Sequence, residues 1–131
     1  MATPAPIGHY SPVVVTPPDV RMVFLSGQLP IDPATGAIAG ADVPTQARQA
    51  LANALAVLAT VGGTTADVIK VTLYLTDLAE YARLNDVYAE TMGAAHPART
   101  VVEVSQLPRG AKVEVDLTAG VASDRLTVAP S

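Results

Sequence analysis

The chain has 131 residues and a mass of 13.4 kDa, the size of one ordinary domain. Half of it is hydrophobic, only 15% is charged and mean hydropathy is +0.35, which excludes a disordered polymer. With no Cys, a thiol enzyme, a disulfide scaffold and a thiolate zinc site are excluded, and a net charge of −4 argues against nucleic acid as a primary partner.

The ends read as loose: residues 1–6 and 123–131 are rich in Pro, Ser, Ala and Thr and lack periodicity. Residues 7–122 then form a single domain. Met1 to Pro6 has no basic start and no apolar core, so it does not read as a signal peptide. The apolar stretch from Ala50 to Val61 is broken by Asn53 and is too short to cross a membrane. A cytoplasmic protein with no membrane partner is the expectation.

Val13-Val14-Val15 reads as a short strand stopped by Thr16-Pro17-Pro18-Asp19, and Val20 to Ser26 as a second, giving a hairpin. Gly27 to Asp42 is a loop. Val43 to Val61 is the clearest helix, with Ala47, Ala50, Leu51, Ala54, Leu55 and Leu58 on one stripe and Gln46, Arg48, Gln49 and Asn53 off it. Asp42 is placed to cap it and Gly62-Gly63 to end it. Val68 to Thr76 alternates as a half-buried strand, with Ile69, Val71, Leu73 and Leu75 on one face and Val68, Lys70, Thr72 and Tyr74 on the other. Asp77 opens a second helix whose stripe is Leu78, Tyr81, Leu84, Asn85, Tyr88 and Met92, and Gly93 ends it. Arg99 to Gln106 and Ala111 to Val121 are strands around a turn at Leu107 to Gly110.

The expected order is β-β-α-β-α-β-β, with hairpins at both ends and a parallel crossover in the middle. That is an α+β two-layer sandwich, a mixed sheet with two helices on one face. The helix-covered face is expected to take Ile69, Val71, Val102, Val104, Val113, Val115 and Leu117. The other face takes Val68, Tyr74, Val101, Lys112, Glu114 and Asp116, too mixed for a core and too apolar in places for solvent. A partner subunit packed there resolves the surplus.

Ile7-Gly8-His9-Tyr10-Ser11, Ser26-Gly27-Gln28-Leu29-Pro30, Pro97 to Val104 and Leu107 to Val115 stand out. Gln46 to Gln49, Thr72 to Asp77 and Asn85 to Glu90 accompany them. In order and spacing these segments resemble the reactive-intermediate (enamine/imine) deaminases of the RidA or YjgF type, over roughly Ile7 to Val121. The resemblance implies a chorismate-mutase-like fold and a homotrimer with sites in clefts between subunits. It implies hydrolysis of small 2-imino or enamino acids to a 2-oxo acid and ammonia, with no cofactor and no metal.

The resemblance also implies site roles. Taken alone, Arg99 is a solvated strand charge or a partner for a nearby acid; the family's matching Arg holds the substrate carboxylate, a task suited to a planar guanidinium. Taken alone, Glu114 is an exposed strand carboxylate; the matching Glu handles the attacking water and the departing nitrogen. Tyr10, Ser26, Gly27, Asn85 and the backbone at Val101 are the implied substrate-binding positions. This chain departs from the family at His9, often Pro, and at Thr100-Val101, often Ser-Cys. A simple Leu107–Gly110 hairpin would set Arg99 opposite Thr118 and Glu114 opposite Glu103. Arg99 would then lie about four strand residues from Glu114, roughly 13 Å away, and a bulge or a neighbouring subunit would have to close the gap. The alternatives are a hydrolase for another imine such as aminoacrylate, or a non-catalytic ligand-binding or chaperone-like trimer. Ribonuclease activity, also ascribed to family members, is disfavoured by the acidic balance.

Overall fold

The computed structural model describes residues 1–128, and residues 129–131 of the expected loose tail lie outside that range. Its elements are β1 (Val20–Phe24), α1 (Val43–Ala59), β2 (Val68–Leu75), α2 (Tyr81–Met92), β3 (Ala98–Glu103) and β4 (Val113–Ala122). The sheet order is β1-β4-β2-β3. β2 and β3 are parallel across the α2 crossover, while β4 runs antiparallel to both β2 and β1. Two helices and a mixed sheet make the expected α+β sandwich.

Neither terminal hairpin forms. Val13 and Val15 are exposed and outside any strand. Pro12, Pro17 and Pro18 lack the N–H that a ladder needs, so this stretch cannot pair, and β1 pairs with β4 instead. At the other end, residues 104–112 carry the chain past the end of β2 rather than folding it back on β3. Val104 N donates to Leu75 O and Thr76 N donates to Lys112 O, so the end of β2 is held from both sides. The Leu107–Gly110 turn residues mark a reversal but not its neighbour; Arg109 and Gly110 take φ of 60° and 70° there. The inferred pairs of Arg99 with Thr118 and Glu103 with Glu114 therefore do not exist. Arg99 aligns with Val71, Glu114 with Tyr74, and Glu103 with Leu75.

Two face assignments change as well. A register irregularity between Val68 and Lys70 turns Val68 into the core and leaves Ile69 only half-buried. On β3, Val101 packs against the core and Val102 faces away, 37% exposed, because Val101 aligns with Leu73.

The core lies between the sheet and the helices. Leu51, Leu58, Val71, Leu73, Leu75, Leu84, Tyr88, Val113 and Val115 are buried in it. α1 starts as expected, with the Asp42 carboxylate accepting from Thr45 N at 3.1 Å. Thr45 and Arg48 are exposed, but two of its polar residues are tied inward. Gln46, expected off the buried stripe, is 2% exposed; its amide donates to Gly40 O and its carbonyl accepts from Lys112 N. Asn53 Nδ2 donates to Leu29 O and Ile31 O, pinning the long loop after β1 to the helix. No helix among the described residues is long and apolar enough to cross a membrane.

Ser123 to Thr127, expected to begin a loose tail, is bonded to the body. Arg125 grips Asp67 through two bonds of 2.7 and 3.1 Å, and Thr127 N donates to Val61 O. Hydrogen bonds from Arg125, and then from Thr64, hold the Asp67 carboxyl below its usual range against the opposing effect of burial.

Two outcomes follow for stability. Leu73→Ala, at a fully buried β2 position, is expected to cost about 3 kcal/mol in urea unfolding at fixed protein concentration. Asp67→Asn is expected to cost about 1 kcal/mol at pH 7. A depressed carboxyl pKa stabilises above the unfolded value and is lost on acidification. The Asn penalty should therefore fade as pH falls below about 4, and a penalty independent of pH would rule out the ion pair as its source.

Candidate active site

Alternation along the strands divides the expected site residues into two groups. Arg99 shares a face with Val71 and Leu117, the helix side, while Glu114 shares one with Tyr74 and Val102, the open side. Within one chain Arg99 and Glu114 therefore lie on opposite faces of the sheet.

The Arg99 group is built by β3, α2 and the segment before β1. Arg99 Nη1 donates to Asn85 Oδ1 and Nη2 donates to the Tyr81 hydroxyl, both at 2.9 Å. Three of the chain's four tyrosines surround the guanidinium carbon, with ring centres at 4.8 Å (Tyr88), 5.2 Å (Tyr10) and 5.7 Å (Tyr81). Every acceptor here is neutral, and Arg99 has no carboxylate partner among the described residues. Burial pushes the Tyr88 hydroxyl up to about 12, only partly opposed by the Arg99 charge, so this ring stays neutral at ordinary pH. The result is a half-buried cation whose charge is not cancelled, the requirement for gripping an anion.

The Ile7–Ser11 segment lies across this group. Ser11 N donates to Pro97 O, His9 N donates to Asn85 Oδ1 at 3.4 Å, and the Tyr10 hydroxyl accepts from Ile7 N. Gly8 has to be Gly or something must move, since a Cβ there would run into Arg99 Nη2 and come within 2.9 Å of the Tyr81 hydroxyl. His9, the departure from the family pattern, stacks on His96 at 4.1 Å and bonds Ala95 O. A cleft of about 160 Å³ remains, lined by Ile7, Tyr10, Tyr81, Arg99 and Val101. That volume suits a ligand of a few heavy atoms.

The Glu114 group occupies the open face. Gln28 and Val115 exchange backbone bonds of 2.6 and 3.0 Å, which runs the Ser26-Gly27-Gln28 segment beside Glu114. A Cβ on Gly27 would fall 2.5 Å from Glu114 Oε1, so the backbone lies directly against that carboxylate. Ser26 is exposed at the same place. Tyr74 donates its hydroxyl to Asp116 at 2.9 Å nearby, and the acidic pair raises its pKa, the Asp116 hydrogen bond first. Met22 and Phe24 flank this face at 47% and 75% exposure.

The structure thus unites Arg99, Tyr10, Asn85 and Val101 in one group and Glu114, Ser26 and Gly27 in another. In the sequence Tyr81 and Tyr88 stand only as helix-stripe residues. Their signal was present: Tyr81, Asn85 and Tyr88 fall at i, i+4 and i+7, placing two tyrosines and an amide on one helix face of an otherwise aliphatic chain. Among the described residues no three His, Asp or Glu side chains converge as metal ligands.

The sequence profile of the family described as Endoribonuclease L-PSP matches residues 1–121. A RutC family protein of Pyrococcus horikoshii is 45% identical over 116 residues, 88% of this chain and 90% of that one. The 2-iminobutanoate/2-iminopropanoate deaminase of Bos taurus is 37% identical over 88% of this chain and 82% of its own. The crystal structure of E. coli TdcF with bound serine superposes with a TM-score of 0.71 at 37% identity, covering 86% of this chain and 94% of that one. Profile, relatives and fold agree, and the chain belongs to the YjgF/RidA family.

Proposed function

We propose that the protein hydrolyses small 2-imino acids and their enamine tautomers to 2-oxo acids and ammonia, as a homotrimer whose sites join two subunits. The observation that carries this reading is the Arg99 guanidinium, held by two neutral oxygens beside a small cleft. A substrate carboxylate supplies the missing negative charge, and it brings the adjacent imine carbon to a fixed place. The name of the Bos taurus relative supports the same substrate class.

Glu114 is the group suited to the water step. As the water oxygen bonds to the imine carbon, the carboxylate takes a water proton, and the C=N electron pair moves onto nitrogen. The carboxylate returns that proton to nitrogen, giving a carbinolamine; it then relays the hydroxyl proton to nitrogen as the C–N bond breaks and the C=O bond forms, and 2-oxo acid and ammonia leave. Within one chain Glu114 faces away from Arg99, so this chemistry requires a second subunit's open face against the first subunit's cleft. The exposed Met22, Phe24 and Val102 on that face supply the apolar surface for such packing. The acidic balance of 12 Asp and Glu against 8 Lys and Arg gives no support to a ribonuclease reading.

The test generates 2-iminobutanoate with a threonine dehydratase and follows its decay. Wild type should accelerate it, and Arg99→Ala and Glu114→Gln should each lose at least about a hundredfold in kcat/KM. Oligomers co-assembled from the two variants should regain activity, because in a random trimer about a quarter of the clefts pair an intact Arg99 with an intact Glu114. No acceleration by wild type rejects the deaminase reading, and no recovery on mixing rejects the shared site. Asn85→Asp gives Arg99 a fixed carboxylate partner, so KM should rise about tenfold while the protein stays folded.

A further inference from the structure

We propose that Tyr81 is a positioning residue for substrate capture: its hydroxyl, together with Asn85, sets the plane of the Arg99 guanidinium so that an open edge faces the cleft. The inference rests on the carboxylate-binding role proposed for Arg99. A guanidinium carries five N–H donors in a rigid plane, yet the plane turns freely about the side-chain bonds unless something holds it. One bond fixes a point. Two bonds, from different nitrogens, fix the plane.

That is the arrangement present. Asn85 Oδ1 takes a hydrogen from Nη1 and the Tyr81 hydroxyl takes one from Nη2, both at 2.9 Å. Both acceptors stand on α2, at its first and fifth residues, so a rigid helix carries them. Gly8 lies against all three groups, since a Cβ placed on it would touch Nη2, the Tyr81 hydroxyl and Asn85 Oδ1. The Tyr10 and Tyr88 rings approach the guanidinium as well, at 5.2 and 4.8 Å. Two of the five donors are used and three stay available, enough for a two-point grip on a carboxylate.

The choice of a tyrosine matters. An aspartate or glutamate at position 81 would hold the fork as firmly but cancel its charge. A phenylalanine would keep the ring against the cation and leave the plane loose. Tyr81 holds without neutralising. Its ring also forms one wall of the 160 Å³ cleft, which brings the hydroxyl to the place where a ligand carboxylate must dock. Such a device acts on ground-state and transition-state binding alike, so it should appear in KM rather than in kcat.

Tyr81→Phe removes one oxygen and keeps the ring. The readouts are kinetics on 2-iminobutanoate and NMR titration with 2-oxobutanoate and with its neutral primary amide. KM and the 2-oxobutanoate Kd should each rise about tenfold, with kcat within about twofold of wild type. The preference for acid over amide should narrow, because only the acid uses two donors at once. Asn85→Ala should cost less in the Tyr81→Phe background than alone, since either loss already frees the plane. An unchanged KM and Kd in Tyr81→Phe overturns the inference. So does equal weakening of acid and amide, which marks a generally loosened cleft. Wild type that binds 2-oxobutanoate but leaves the imine untouched contradicts the deaminase reading, while the titrations still decide the role of Tyr81. Wild type that binds neither acid nor amide overturns both.

Discussion

Only one face of the four-stranded sheet is covered by helices, and strand alternation decides which side chains meet them. Leu73, Leu75, Val113 and Val115 fall on the covered side and make the core. Glu114, Tyr74 and Asp116 fall between them and point the other way. Arg99 sits on the covered side, at the edge strand, between α2 and the Ile7–Ser11 segment. A core, an uncompensated arginine and an acidic open face thus come from one constraint of period two.

The surroundings of Arg99 leave a half-buried cation without a countercharge. Its neighbours are an amide, a hydroxyl and aromatic rings, which steady the guanidinium without cancelling it. The chain's other strong arginine contact works the opposite way. Arg125 meets the Asp67 carboxylate in two bonds and fastens the chain end to the body. One arginine is neutralised and structural; the other is held uncompensated beside a cleft.

Much of the fold is legible in the sequence. The alanine stripe of α1, the Asp42 cap and the alternation of β2 announce themselves through period and capping chemistry. The strand neighbours do not. The turn residues of Leu107 to Gly110 say that the chain reverses, and nothing local says that β4 returns beside β2 rather than β3. The Val13–Val15 run has strand-forming side chains, but its prolines decide against pairing. The irregularity after Val68 moves Val68 and Ile69 to unexpected sides, and no residue there signals it. The candidate site divides in the same way. Arg99, Asn85 and Tyr10 were legible through the family pattern. Tyr81 and Tyr88 were hidden in a helix stripe that reads equally well as core, and the opposite facing of Arg99 and Glu114 followed from pairing that only the structure supplies.

In the arrangement we propose, the uncompensated arginine of one chain is completed by the acidic open face of another. The most direct measurement is a crystal structure with 2-oxobutanoate bound. That arrangement puts the carboxylate on Arg99, in the cleft of Ile7, Tyr10, Tyr81 and Val101, with Glu114 of a second copy within hydrogen-bonding reach of the 2-oxo group. A ligand bound away from Arg99, or one at Arg99 with no second subunit's Glu114 near it, would rule the shared site out.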